Sequence, residues 1–425
     1  MTAQPTPITD HNPHPSPPRD GPTVLKCKST ADFLAALPFV TGYTAENSIF
    51  IVLFRGSRAG NVLRFDLPPE ERHDDGAPLI DAIEGILDDT GAGQASPAIV
   101  LTTSERFSDR RRAPRLRFAR RIQRRFRARG WTLRELAVIA ADGWSGLLDQ
   151  TDPAPRALSE IVQAQRAVEA RTTRAVPASL SVLGEIPAAD PARAAAVAAK
   201  LWELAGHANS GHANGGRASE RTATHEWLPG VARVAETCFE RAGDLRSNAA
   251  SPGVHRAGAD RVDPRVLARL IDATTRPDRW LALALTAVTR ARFVISLIDD
   301  FDEDPLTGVA VHESENSTGW SLRNVLLLLS QEPVEPHKLA RAITALEDAA
   351  AHAPETRRVG VLAMLAWLWW LRGLQSVAHR LITQALDHEP GDSEAHAIAH
   401  LISELIEEPP AAHVLQLQEQ FSAAA

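Results

Sequence analysis

The sequence predicts an α/β domain followed by an all-α region, and three observations carry that prediction. Up to Thr151, short β-branched runs alternate with helix-length amphipathic segments; beyond Pro153 no convincing strand follows; and Gly360 to Gly391 holds an apolar stripe broken by Gly373 and closed by Pro390. Alternating strands and helices build a sheet layered with helices, whereas a run of helices packs on itself. The expected architecture is a mixed, mostly parallel sheet with helices on both faces, then a helical domain ending in a helix hairpin.

The chain has 425 residues, more than one hydrophobic core accommodates. The expected division is a disordered tail (1–26), an α/β domain (27–152), a helical domain (153–335) with flexible insertions near 207–219 and 246–263, and a helical carboxyl-terminal region (336–425). Met1 to Pro22 has neither the basic nor the apolar region of a signal peptide. A net charge of −7 argues against bulk affinity for nucleic acid or an anionic membrane. Val359 to Leu371 falls short of the roughly 20 apolar residues that span a bilayer, so no membrane segment is expected. Cys27 and Cys238 cannot form a disulfide framework, which fits a reducing compartment, the cytoplasm.

In the first domain, Ser29 or Thr30 caps a helix whose Phe33, Leu34 and Leu37 share a face, with Pro38 and Gly42 as its stop. Ile49 to Phe54 is a continuous apolar run, as in a central strand buried on both faces. In Val62 to Leu67, Leu63, Phe65 and Leu67 alternate with Arg64 and Asp66, which makes a hairpin with the preceding strand. Helix (Pro78–Asp89), strand (Ala98–Thr102), helix (Arg115–Arg129) and strand (Leu133–Ile139) follow as two crossover units. Three strands should run parallel, one antiparallel strand comes from the hairpin, and a further short strand starts at Trp144.

Helical patterns then cover 156–169, 191–205, 222–242, 264–275, 279–298, 319–329 and 336–351. In the closing segment, Leu362, Leu365, Ala366 and Trp369 form one helix face, Gly373 turns the chain, and Ala378, Leu381, Ile382 and Ala385 form the facing stripe. This spacing is tetratricopeptide-like. A third helix, Ser393 to Ile406, caps the pair, and Pro409 and Pro410 end it.

Pro38, Gly42, Tyr43, Asn47 and Ser48 ahead of the first strand, with Arg64, Asp66, Leu67 and Pro68 in the second, resemble the opening of an actinobacterial family known only as a domain of unknown function. Leu362, Trp367, Gly373, Ala378, Ala385 and Pro390 are similar to that family's closing segment. The middle departs: family members often carry a Trp-Ser-Tyr segment followed by cysteines and proline, whereas Gly143, Trp144, Ser145, Gly146 and Leu147 lead on without cysteine. The resemblance implies an architecture and a source, and no reaction.

Three sets of residues are candidate sites. Ligands in open α/β sheets sit beyond the carboxyl ends of parallel strands, which places Asp66, Thr102, Thr103, Ser104 and Asp142 around a small polar ligand; equally, Arg64 and Asp66 pair on one strand and the hydroxyls serve as caps. Arg117, Arg121, Arg124 and Arg125, within a run from Arg110 to Arg129, offer a polyanion surface or a solvated helix face. Trp367 and Trp370 are partner-binding anchors or core.

Catalytic and metal signatures fall short. Gly143 to Gly146 lacks one residue of a GxSxG elbow, and His225-Glu226 fails as HExxH at Pro229. Asp300, Asp302 and Asp304 begin like a calcium loop, yet Pro305 stands where the turn glycine belongs and Val311 where the bidentate glutamate belongs. No catalytic residue, metal or cofactor is assigned. The leading expectation is a cytoplasmic, non-enzymatic interaction or scaffold protein with a protein partner. The alternatives are a small-molecule or enzymatic site at the strand ends and nucleic-acid or other polyanion binding through the arginine-rich helix.

Overall fold

The computed structural model describes residues 26–68, 76–89, 91, 96–109, 112–148, 153–172, 176–212, 229–241, 262–299, 309–311, 321–331, 334–388 and 393–408. The amino-terminal tail, most of both glycine-rich interruptions, His225, Glu226, Asp300 to Pro305, and the prolines at 390, 409 and 410 lie outside these residues. The chain forms two compact units, one from residues 1–80 and 96–179, the other from 81–95 and 180–425.

In the first unit, α1 (Thr30–Thr41) starts at Ser29, whose hydroxyl accepts from the Asp32 N–H at 3.1 Å. Pro38 does not stop it. The helix runs three residues further because Pro38 sits in its last turn, where a missing N–H costs one bond and its own carbonyl accepts from Gly42 at 2.8 Å. Gly42 closes the helix at φ 81°, a left-handed conformation that glycine adopts without strain.

β1 (Ser48–Arg55) and β2 (Arg58–Asp66) form the hairpin, and both strands run further toward the turn than the expected Ile49–Phe54 and Val62–Leu67. α2 (Ala77–Asp89), β3 (Ala98–Thr102), α3 (Leu116–Ala128), β4 (Glu135–Ala140) and β5 (Gly143–Gly146) follow. The sheet order is β2-β1-β3-β4-β5. β2, β3 and β4 run in one direction, as three strands were expected to. Hydrogen-bonded parallel pairing is confined to β3 and β4, because β1 inserts between β2 and β3 and lies antiparallel to both. β5 turns back antiparallel on β4.

Thr30 Oγ1 donates to Glu135 Oε2 at 2.6 Å, and Phe33 packs 6.1 Å from Phe54, which holds α1 on the face carrying Phe50, Phe54 and Glu135. α4 (Leu158–Thr172) packs beside α1.

The second unit is helical: besides residues 81–89 of α2 it holds α5 (Pro191–His212), α6 (residues 229–241), α7 (Pro264–Ala273), α8 (Pro277–Val288), α9 (Ala291–Asp299), α10 (Leu322–Leu329), α11 (Pro336–His352), α12 (Arg358–Leu371), α13 (Gln375–Leu386) and α14 (Ser393–Leu405). The single helix expected over 279–298 is two. The break comes at Thr289, whose carbonyl, instead of accepting along the helix, takes a 2.6 Å hydrogen bond from Lys338 Nζ.

α12 is the centre of this unit: every residue from Val359 to Leu371 is buried, against α11, α13 and α14. A helix apolar all round is stable only when enclosed on all sides. Arg372 to Leu374, with Gly373 at φ 81°, turns the chain into α13, whose Val377, Ala378, Leu381, Ile382 and Ala385 are buried. Among the described residues, no helix is long and apolar enough to cross a membrane.

Candidate functional site

The register of the sheet brings the strand-end residues into one row. Asp66 stands opposite Ser48, Ser48 opposite Thr102, and Thr102 opposite Ile139. Ser48 is buried at the centre of this row and ties its neighbours together. Its N–H donates to Thr102 Oγ1 (3.1 Å), and its hydroxyl donates to Glu46 O (2.8 Å) while accepting from Arg64 Nε and Nη2 (3.1 and 2.9 Å). Arg64 also pairs with Asp66, whose side chain is 78% exposed. Asn47, at φ 45°, turns its Oδ1 toward Ser104 and accepts from both the N–H (3.1 Å) and the hydroxyl (3.2 Å).

Below this row the polar groups are equally engaged. Thr103 is buried; its N–H donates to Ile139 O at 2.9 Å and its hydroxyl accepts from Glu105 N at 3.3 Å. Glu105 forms a 2.6 Å ion pair with Arg115, a residue at φ 59°, which also donates to Pro68 O at 2.6 Å. Asp142 accepts from the N–H groups of Phe107 (2.7 Å) and Ser108 (3.0 Å). Those two backbone bonds, Phe107 first, hold its carboxyl below the ordinary aspartate range.

The structure therefore gathers Asp66, Thr102 and Ser104 about Asn47 and Ser48, while Asp142 caps the 107–108 turn. The hydroxyls and carboxylates hold backbone segments to each other. A ligand here competes with those bonds except at the exposed edge of Asp66. Asn47, Ser48, Glu105 and Arg115 are the connecting residues that strand-end reasoning did not select. Left-handed backbone at Asn47 and Arg115 marks two of them.

Ser145, next to the incomplete elbow, is buried in β5, where its hydroxyl donates to Ala154 O at 2.9 Å. Its hydrogen is committed to the backbone, and its place in a strand is not that of an exposed elbow nucleophile. Among the described residues, no group of three or more His, Cys, Asp or Glu side chains is arranged to hold a metal.

α3 buries Leu116, Ala119, Ile122 and Phe126 on one stripe and turns its arginines away. Arg117 and Arg124 are exposed; Arg121 and Arg125 are half-buried, and each has an interaction partner. Arg129 lies over the Trp131 ring at 5.5 Å. Trp367 and Trp370 are interior. Trp367 packs 5.8 Å from Trp280, and Trp370 Nε1 donates to Glu408 O at 2.6 Å. Neither indole has a free face, because α12 is enclosed all round.

A family model described as a domain of unknown function (DUF4192) matches residues 31–408, nearly the whole described chain. The chain belongs to this family. The DUF4192 match runs from α1 through α14, so it takes in the sheet, the strand-end row, the arginine helix and the carboxyl-terminal helices together. No curated protein and no solved structure matches the chain.

On the surface of the DUF4192 helical unit, one residue stands apart. Trp202 in α5 is 81% exposed, and among the described residues Leu328 in α10 and Phe293 in α9 are the next most exposed bulky apolar side chains beside Val182. Sequence reasoning passed over Trp202 because it lies in an alanine-rich helix whose apolar stripe is indistinct; a bulky aromatic among alanines and charges was the available signal.

Proposed function

We propose that this DUF4192 chain is a non-enzymatic protein-interaction module whose helical unit presents the contact surface. The observation that carries the reading is Trp202 at 81% exposed. Scattered exposed aliphatics are ordinary on protein surfaces. A tryptophan is different: it has the largest apolar surface of any side chain and is over-represented among the residues that dominate interface energy. The spacing of Gly373, Ala378 and Ala385, with α13 presenting a buried stripe to α12, supports a tetratricopeptide-like hairpin within the same helical unit. Two unpaired cysteines, Cys27 exposed and Cys238 buried, support a reducing, cytoplasmic setting.

The test is site-specific photocrosslinking. A photoreactive phenylalanine analogue at position 202, in cells of the source organism, should give a discrete adduct with one protein, and W202A should weaken binding of that purified protein about tenfold or more. An unchanged affinity in W202A, with the fold intact, overturns the reading.

A second reading, a small polar ligand or substrate at the strand ends, is supported by the single row that Asp66, Ser48 and Thr102 share. It requires a ligand whose stabilisation of the protein disappears in D66A; stabilisation that survives D66A removes the assignment.

A further inference from the structure

We propose that two copies of this chain pair antiparallel along β2, joining their sheets across a two-fold axis at Phe65. β2 is the terminal strand of the sheet, and among the described residues no strand pairs with its outer side. The opposite edge is closed. Trp144 of β5 donates to Arg156 O at 3.0 Å and accepts from Arg156 N at 2.8 Å. An open edge offers unpaired N–H and C=O groups to another strand.

The groups that face outward follow from one bond. Leu67 N–H donates to Asn47 O at 2.8 Å, toward β1. In an antiparallel ladder the direction alternates with each residue, so Phe65 and Leu63 also face β1, and Arg64 and Asp66 turn their backbone groups outward. A partner strand centred on Phe65 then exchanges backbone bonds between Arg64 of one copy and Asp66 of the other, twice.

The side chains agree with that register. Opposed residues share a face and interact, so Arg64 meets Asp66 of the second copy, Leu63 meets Leu67, and Phe65 meets Phe65. Because Arg64 and Asp66 already pair within each strand, the four charges alternate in sign across the axis. Centring on Arg64 or on Asp66 would set like charges against each other. Toward the amino end of β2, the register with β1 shifts between Val52 and Phe54, which confines regular pairing to the half of β2 after the shift. An interface this short belongs to the weak, transient class, with a Kd on the order of 0.1 mM.

The inference is independent of Trp202 and is tested by sedimentation equilibrium of the full chain. The wild type should dimerise, and R64D and D66R should each weaken dimerisation about tenfold or more, because each sets like charges across the axis. R64D/D66R should recover it, and an equimolar mixture of R64D with D66R should form a heterodimer. Arg64 also holds Ser48, so R64D can lose stability for another reason; the exposed Asp66 and the heterodimer, which a folding defect cannot produce, separate the two effects. A wild type that stays monomeric at every concentration, a dimer indifferent to both single reversals, or a mixture that does not associate would each overturn the proposal.

Discussion

Gly360, in the first turn of α12, lies against the backbone of Thr274, just past α7. A Cβ at Gly360 would stand 2.8 Å from the Thr274 carbonyl carbon and 2.9 Å from its Oγ1, with the carbonyl oxygen nearer still. The obstruction is main chain, so a side-chain rotation does not relieve it. G360A should destabilise the protein by about 3 kcal/mol, the upper range for overpacking a close contact. Chemical denaturation checks this, and a change under about 0.5 kcal/mol would show that α12 can withdraw from Thr274 freely.

Trp367 and Trp370 are both buried, yet they differ in one bond. Trp370 Nε1 donates to Glu408 O, and Trp367 Nε1 has no hydrogen-bond partner among the described residues. Replacing either by phenylalanine removes similar volume, but only W370F orphans a carbonyl. W370F should cost more than W367F by about 1 kcal/mol, the net worth of one hydrogen bond. Paired urea titrations would show it; equal losses would mean that volume alone governs both sites.

Asn47 does two jobs, as a left-handed backbone position and as the double acceptor for Ser104. N47G keeps the first and loses the second, whereas N47A loses both. N47A should be less stable than N47G by about 1 kcal/mol, the cost of left-handed backbone at a residue with a Cβ. Reversal of that order in thermal melts would show that glycine's extra unfolded-state freedom outweighs the strain.

Arg193, nearly buried at the start of α5, donates to Asp348 Oδ2 (2.9 Å) and to Val262 O (2.6 Å). D348A leaves the nearly buried guanidinium without its counter-charge; because Asp348 is itself a third exposed and Arg193 keeps Val262 O, the loss should be about 2 kcal/mol. The double variant D348A/R193M should regain part of this, since it buries no unpaired charge. A double variant no better than D348A would place the loss in packing.

Asp142 gives a pH dependence with a definite sign. Its folded-state value is depressed, so the stability it contributes is present above the unfolded aspartate value, about 3.9, and is lost as pH falls through the folded-state value. The Phe107 and Ser108 amide resonances should therefore shift together only in that acid range. D142N should abolish the shared step; its persistence would assign the titration to another carboxylate.

Much of this protein was legible in its residues. Ile49 to Phe54 is a strand because nothing but a site enclosed on both faces suits that run, and Ser29 starts a helix, and Gly42 and Gly373 end theirs, by local chemistry that no distant contact needs to supply. The membership in a single family was likewise written in the residues before β1 and in the closing hairpin.

What the chain folded alone could reveal was which side chains meet. Residues 54 positions apart join Ser48 to Thr102, and the insertion of β1 between β2 and β3 made the strand-end hydroxyls into structural hydrogen bonds. The same holds for Lys338, which takes the Thr289 carbonyl at the point where one expected helix becomes two. Trp367 and Trp370 went inside and Trp202 stayed outside for one reason: a helix's own sequence marks its apolar face, but only the helices packed around it determine whether that face, or every face, is covered.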